Sequence, residues 1–295
     1  MPKDFIGKIW LKQKNKIVLT LILLVILDIL VFWQIKNLVS LNKPLEIYFL
    51  KVGQGDSELI KLSGKVKILI DGGPANNQIL ENLNQILSPF DRYLDLVILS
   101  HPQSDHFGGL IEVFKRYRVG AFIYNGRDNP IPAFKEFKKV IAENKIQTIV
   151  LIGGDRIRYQ DNQFNFLLPD LSLLQEKELN DTTLVGELKN SNFKALFTGD
   201  ISSKIEKKLV TFYHSTIDVL KVSHHGSKFS SSPEFLNALR PKVAVIEVGK
   251  NSYGHPTKDV LERLKAVGAK ILRTDEEGLV KLLIDGQKIR IFQNF

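Results

Sequence analysis

Asp95-Leu96-Val97-Ile98-Leu99-Ser100 leads directly into His101-Pro102-Gln103-Ser104-Asp105-His106-Phe107-Gly108-Gly109. The continuous apolar run predicts a buried strand over 95–100, and the apolar period after Gly108 predicts a helix over 109–117. The turn between them sits at the carboxyl end of a strand, where several side chains can face one point. His101, Asp105 and His106 supply the nitrogen and carboxylate donors that divalent transition metals take. A lone histidine reads best as a structural one; three such residues in six positions do not.

Three further segments have the same placement. Leu196-Phe197-Thr198-Gly199-Asp200 carries a carboxylate past a predicted strand over 194–198. The run over 218–222 leads into Ser223-His224-His225-Gly226-Ser227, and the run over 243–248 leads towards Gly254-His255-Pro256. Five of the six histidines therefore lie in loops that follow strands. His214, past a predicted helix over 202–213, reads as solvent-facing.

The rest of the chain alternates short β runs with helical periods. Strands are predicted over 45–50, 58–62, 66–70, 121–124, 148–152, 164–168, 183–188, 279–284 and 288–292. Helices are predicted over 76–87, 133–144, 233–239 and 256–267. Elements of this kind, mixed on this scale, predict an α/β (α+β) sandwich of two sheets with helices on both outer faces, an αββα arrangement. The 44% hydrophobic and 25% charged composition is that of a folded chain. With no cysteine, disulfides and thiolate metal sites are excluded, so a metal must be held by His and Asp.

Ile17 to Trp33 reads IVLTLILLVILDILVFW, the short end of what spans a hydrocarbon core of about 30 Å. Ile35 and Leu38 extend it, giving a transmembrane signal anchor over about 17–35. Trp10 and Trp33 are placed for the two interfaces. Asp28 costs about 2–3 kcal/mol on insertion scales and points to a partner helix. Lys3, Lys8, Lys12, Lys14 and Lys16 precede the run, and Lys36 and Lys43 follow it. The positive-inside rule then puts the N-terminus in the cytoplasm and the rest outside. A cleaved signal peptide would need a small-residue site after Trp33, and none stands there. The expected organisation is a tail, anchor and linker over 1–44 and one domain over 45–295, with Pro44 at the break. The net charge of +9 is uneven: residues 1–44 hold seven Lys and two Asp, +5, which leaves +4 on the domain. That is too weak to argue for nucleic acid alone.

These clusters together resemble the metallo-β-lactamase superfamily, with its HxHxDH signature after a buried strand. More narrowly they resemble the extracytoplasmic hydrolase domain of the ComEC competence proteins. The narrower likeness is carried in order by Val52-Gly53-Gln54-Gly55-Asp56-Ser57, Leu69-Ile70-Asp71-Gly72-Gly73, Leu99-Ser100-His101-Pro102 and Leu196-Phe197-Thr198-Gly199-Asp200. Leu220-Lys221-Val222-Ser223-His224-His225-Gly226-Ser227 and the segment from Val248 to Pro256 complete it. The family's multi-pass channel region is absent here, so the expectation is a stand-alone hydrolase domain on one anchor, with a separate channel protein as a candidate partner.

The resemblance implies one or two divalent ions, zinc or manganese. It puts His101 in a first metal site, Asp105 and His106 in a second, and Asp200 between them. His224 or His225, and His255, are candidates for the remaining ligands. Asp105, His225 and Lys250 are the candidate catalytic groups. Asp56, Asp71, Gln103, Ser227 and Tyr253 are candidates for supporting the site or meeting substrate. The loop of Gly226-Ser227-Lys228 with Ser230, Ser231 and Ser232 reads equally as a phosphate cradle or a plain turn. The sequence departs from HxHxDH at Gln103, a neutral amide, and Asn180-Asp181-Thr182-Thr183 offers no histidine. One tight and one loose metal is the expectation. The implied activity is hydrolysis of a phosphodiester, with DNA outside the cell as substrate. The alternatives are another extracytoplasmic phosphodiester, or a silent binding module.

Overall fold

The structure, a computed structural model, describes residues 3–41 and 44–293, with side chains at 13, 15–35 and 44–293. Its contacts divide the chain into two compact units, 1–43 with 63–65 and 44–62 with 66–295. In the first, Lys3–Leu41 is one helix, α1. Over Asn15–Ile35 its mean hydropathy is 2.6 and every described side chain is exposed, so it is long and apolar enough to cross a membrane. The side chains of Lys3, Lys8, Trp10, Lys12, Lys14, Lys36, Leu38 and Lys43 lie outside the described residues.

The second unit holds two sheets. One contains β1 (Leu45–Phe49), β2 (Glu58–Lys61), β3 (Lys67–Ile70), β4 (Tyr93–Ile98), β5 (Arg118–Tyr124) and β6 (Thr148–Val150). The other contains β7 (Arg156–Tyr159), β8 (Asn162–Leu168), β9 (Val185–Asn190), β10 (Phe193–Phe197), β11 (Val219–Lys221), β12 (Val243–Ile246) and β13 (Lys270–Arg273). β14 (Val280–Asp285) and β15 (Lys288–Gln293) return to the first sheet beside β1. Strands β3 to β6 run parallel to one another, as do β10 to β13, and the remaining pairs are antiparallel.

Alternation along the strands builds three apolar layers. Ile47, Phe49, Ile68 and Ile70 meet Ala195, Phe197, Val219 and Val245 between the sheets, where the Phe49 and Phe197 rings stack 6.5 Å apart. Tyr48, Leu50 and Leu69 face outward onto α2 (Gln78–Ile86), α4 (Leu110–Arg116) and α5 (Pro132–Glu143). Leu196, Leu220 and Ala244 face the other way onto α6 (Ser203–Val210), α7 (Pro233–Leu239) and α8 (Lys258–Ala266). The unit is an αββα sandwich. Two single-turn helices, α3 (Ser104–Phe107) and α9 (Thr274–Glu277), complete it.

Some elements are shorter than their apolar runs. β4 stops at Ile98 because the Ser100 N–H donates to the Asp71 carboxylate (2.7 Å) rather than to a strand. β9 starts at Val185 because 180–183 closes a turn, Thr183 N–H to Asn180 O. α8 starts at Lys258 because Thr257 N–H donates to Gly226 O.

Candidate metal centre

The site lies at the carboxyl ends of parallel strands from both sheets, where α/β folds place their ligands. Asp71 follows β3 and His101 follows β4. Asp200 follows β10, His224 and His225 follow β11, and Glu247 follows β12. Asp105 and His106 lie on α3. One donor atom each from Asp105, His106, Asp200 and His225 falls within 4.8 Å of all the others. Asp200 Oδ2 is 3.5 Å from His106 Nε2 and 3.4 Å from His225 Nε2, which is 3.6 Å from Asp105 Oδ2.

Each imidazole is held from behind. His106 Nδ1 is 2.7 Å from Asp71 Oδ2, and His225 Nδ1 is 2.8 Å from the Glu247 carbonyl. His101 Nδ1 is 3.0 Å from Ser100 Oγ, whose own proton goes to Asp71 at 2.6 Å. With every Nδ1 engaged, the Nε2 lone pairs point forward. The Nε2 atoms of His101, His106 and His225 are buried with no hydrogen-bond partner, and so is Asp200 Oδ1. Buried polar atoms are rarely left so. Three unpaired imidazole nitrogens beside two carboxylates fit a divalent ion.

The charges agree. Burial disfavours charge on His106 and His225, but Asp200 beside both, with Asp71 against His106 and Asp56 against His225, outweighs it. His106 is held well above the ordinary histidine range and His225 is pushed up to about 10. The carboxylates thus demand cations, and protons supply them where a metal otherwise would. Asp200 itself is held well below the carboxylate range, because His225 and His106 outweigh its burial. Burial, then the charge of His106, pushes His101 down to about 3. Burial also lowers His224, and lowers His255 to about 4.

Behind the cluster stands a cation that the sequence reading gave no role. Lys221 is fully buried. Its Nζ donates to Gly199 O (3.0 Å), pairs with Asp56, and lies 3.6 Å from Asp200 Oδ1. Asp56 also reaches His225 Nδ1 at 3.2 Å. Two buried acids, Glu58 and Glu247, complete this polar core. Burial pushes Glu58 up to about 8, and Glu247 is held well above its usual range by burial and by Glu58. The available signal was charge at strand positions that the apolar run otherwise buries, in Asp218-Val219-Leu220-Lys221-Val222 and Val245-Ile246-Glu247-Val248.

Other candidates lie apart from the quartet. His224 is half-buried, its Nε2 3.9 Å from Asp200 Oδ2. His255 meets His224 edge to face with ring centroids 5.6 Å apart, and Tyr253 stands exposed beside His255. Lys250 is exposed and makes no described contact with the cluster. Gln103 caps α3 with its backbone carbonyl, which accepts from His106 and Phe107, and its amide has no described bond to the cluster. His214 is exposed. The serine loop is held as a turn by its own side of the fold. The Ser231 and Ser232 N–H groups donate to the buried Glu206 carboxylate, Ser230 Oγ donates to Ile201 O, and Ser227 is buried. The Ser231 and Ser232 hydroxyls are buried and make no hydrogen bond.

Residues 50–249 match the Metallo-beta-lactamase superfamily. The chain is 34% identical over 254 residues to Competence protein ComA of Neisseria gonorrhoeae, covering 82% of this chain and 33% of that protein. It is 29% identical over 254 residues to ComE operon protein 3 of Bacillus subtilis, covering 80% of this chain and 32% of that one. The chain thus spans about a third of the length of these curated relatives. Among solved structures, Igni18, a metallo hydrolase from Ignicoccus hospitalis, superposes with a TM-score of 0.53 at 17% identity, covering 81% of this chain and all of that one. That likeness speaks for the fold.

Proposed function

The chain belongs to the metallo-β-lactamase superfamily, and from that premise we propose a membrane-anchored, metal-dependent phosphodiesterase that acts on DNA outside the cell. Its N-terminus would lie in the cytoplasm. The observation that carries the hydrolase reading is the convergence of Asp105, His106, Asp200 and His225 with unpaired donors facing inward. The competence proteins among its relatives support the nucleic-acid substrate.

Asp105, His106, Asp200 and His225 would hold the metal, with His101 and Asp200 offering a weaker second position where Gln103 replaces a ligand. Bound there, a divalent ion would supply Lewis acidity towards water and a phosphoryl oxygen. Asp71 and the Glu247 carbonyl fix the rings of His106 and His225, so those nitrogens need no rearrangement to bind. Asp105 is the one carboxylate of the quartet that solvent reaches. Held ionised, it orients the attacking water by accepting its hydrogen. His224, half-buried with its Nε2 3.9 Å from Asp200 Oδ2, borders the open side of the cluster, where substrate would enter.

The test is metal content with nuclease activity, measured on the full chain in detergent, purified without chelator, beside a double Asp105→Ala, His106→Ala variant. About one to two metals per chain and cleavage of DNA in the parent alone is the expected result. Metal without DNA cleavage would move the substrate to another phosphodiester. No metal uptake from manganese or zinc would leave a silent binding module, the outcome to which Gln103 points.

A further inference from the structure

Two loops leave the cluster beside His224, and each holds an aromatic ring out in solvent. The first, 249–255, is built on Asn251. Its amide donates to Gly249 O (2.9 Å) and His255 O (2.8 Å), and its Oδ1 accepts from the N–H groups of Tyr253 (3.1 Å) and His255 (3.0 Å). Four bonds to one side chain fix the loop's shape, and Tyr253 at its tip is 74% exposed. The Tyr253 ring lies 5.7 Å from that of His255, and His255 lies 5.6 Å from His224. A line of rings therefore runs from solvent to within 3.9 Å of Asp200.

The second loop, 226–232, packs against the end of the first. Gly226 O accepts from Thr257 N–H at 3.0 Å, and a Cβ at Gly226 would meet Pro256 at 2.6 Å. Phe229, 66% exposed, stands on it with Lys228 Nζ 5.1 Å over its ring. This backbone is also pinned, with Phe229 O accepting from Ser203 N–H at 2.8 Å.

An aromatic ring held in water loses the gain that burial would give it, and a rigid loop that holds it there is preorganised for a flat partner. Exposed rings beside cations suit a polyanion that carries π faces. We infer that Tyr253 and Phe229 are stacking platforms for unpaired nucleobases, so that the polymer this site engages is single-stranded. The inference rests on the phosphodiesterase reading and names its substrate form. In a duplex each base face is covered by its neighbours and must be unstacked first. Lys228 and Lys250, on the same two loops, meet the phosphates.

The experiment is fluorescence anisotropy with the manganese-loaded full chain in detergent. The probes are an uncleavable phosphorothioate oligothymidylate, the same oligomer with abasic sugars, and a duplex. Alanine at Tyr253 or Phe229 is expected to weaken oligothymidylate binding about ten-fold and to leave the abasic oligomer unaffected. Tyr253→Phe should bind like the parent. Equal binding by Tyr253→Ala and parent would overturn the inference, as would equal losses on both oligomers. A parent that prefers duplex, or binds abasic and normal oligomers alike, would sink stacking while leaving the nuclease reading intact. A parent that binds none of the three would take down both.

Discussion

Lys221 is the residue on which the charge balance of the site turns. Its ammonium is fully buried between Asp56 and Asp200, and the pull of Asp56 outweighs burial and raises its pKa. Removing one member of a buried pair strands the other, at a cost of about 3–5 kcal/mol. Lys221→Met should therefore lower unfolding stability by that amount in urea, measured on the full chain in detergent with chelator present. Added manganese should recover part of the loss, since a cation would again stand against Asp200. A loss under about 1 kcal/mol, the size of an exposed pair, would show that the buried charges compensate without it. At this scale the ligand types were plain in the sequence, but the choice between His224 and His225 was not. Both residues adopt φ near +50° and Gly226 follows at +81°. Such a left-handed turn aims one ring inward and the next outward, and two adjacent histidines carry no trace of which.

The loop between β1 and β2 carries Asp56 and also acts on the site through its backbone. Gly55 has a φ of +151°, and a Cβ there would stand 2.2 Å from the Asp105 carbonyl oxygen. Asp56 N–H also bonds that oxygen at 3.3 Å, so the glycine loop sets the height of α3 and of its two donors. Gly55→Ala should weaken metal binding about 10- to 100-fold, as loss of an outer support does. Competition with a chromophoric chelator measures this. Gly286→Ala, in the β14–β15 turn where a Cβ meets nothing, is the control and should bind metal normally. Unchanged affinity in Gly55→Ala would mean that α3 is positioned from elsewhere. Elements of this kind were legible where one period ran long enough, as in α7, predicted over 233–239 and found there. β7 and β13 were not predicted: Arg156-Ile157-Arg158-Tyr159 and Lys270-Ile271-Leu272-Arg273 are four-residue edge strands, too short and too charged to show an apolar pattern. Periodicity also could not say which sheet a strand joins. That follows from which alternate face meets Phe197 and which meets a helix.

At the scale of the whole molecule, α1 is long and apolar enough to cross a membrane. The 21 residues of Asn15–Ile35 rise about 31 Å at 1.5 Å each, close to the hydrocarbon thickness of about 30 Å. A helix meets its own backbone hydrogen bonds, as a spanning segment must, and Thr20 Oγ1 also donates back to Lys16 O at 2.9 Å. Its exposed leucines, isoleucines and valines form an apolar surface far larger than soluble proteins leave in water. The chain should therefore stay in the membrane pellet through washes of high salt and alkaline carbonate, and leave it only with detergent. A surface-bound helix would be stripped by carbonate, and that result would overturn the spanning reading. Mass spectrometry of the extracted protein separates an anchor from a cleaved signal. An anchor keeps the full 33.5 kDa, whereas cleavage after Trp33 would remove the helix and release the domain into the wash.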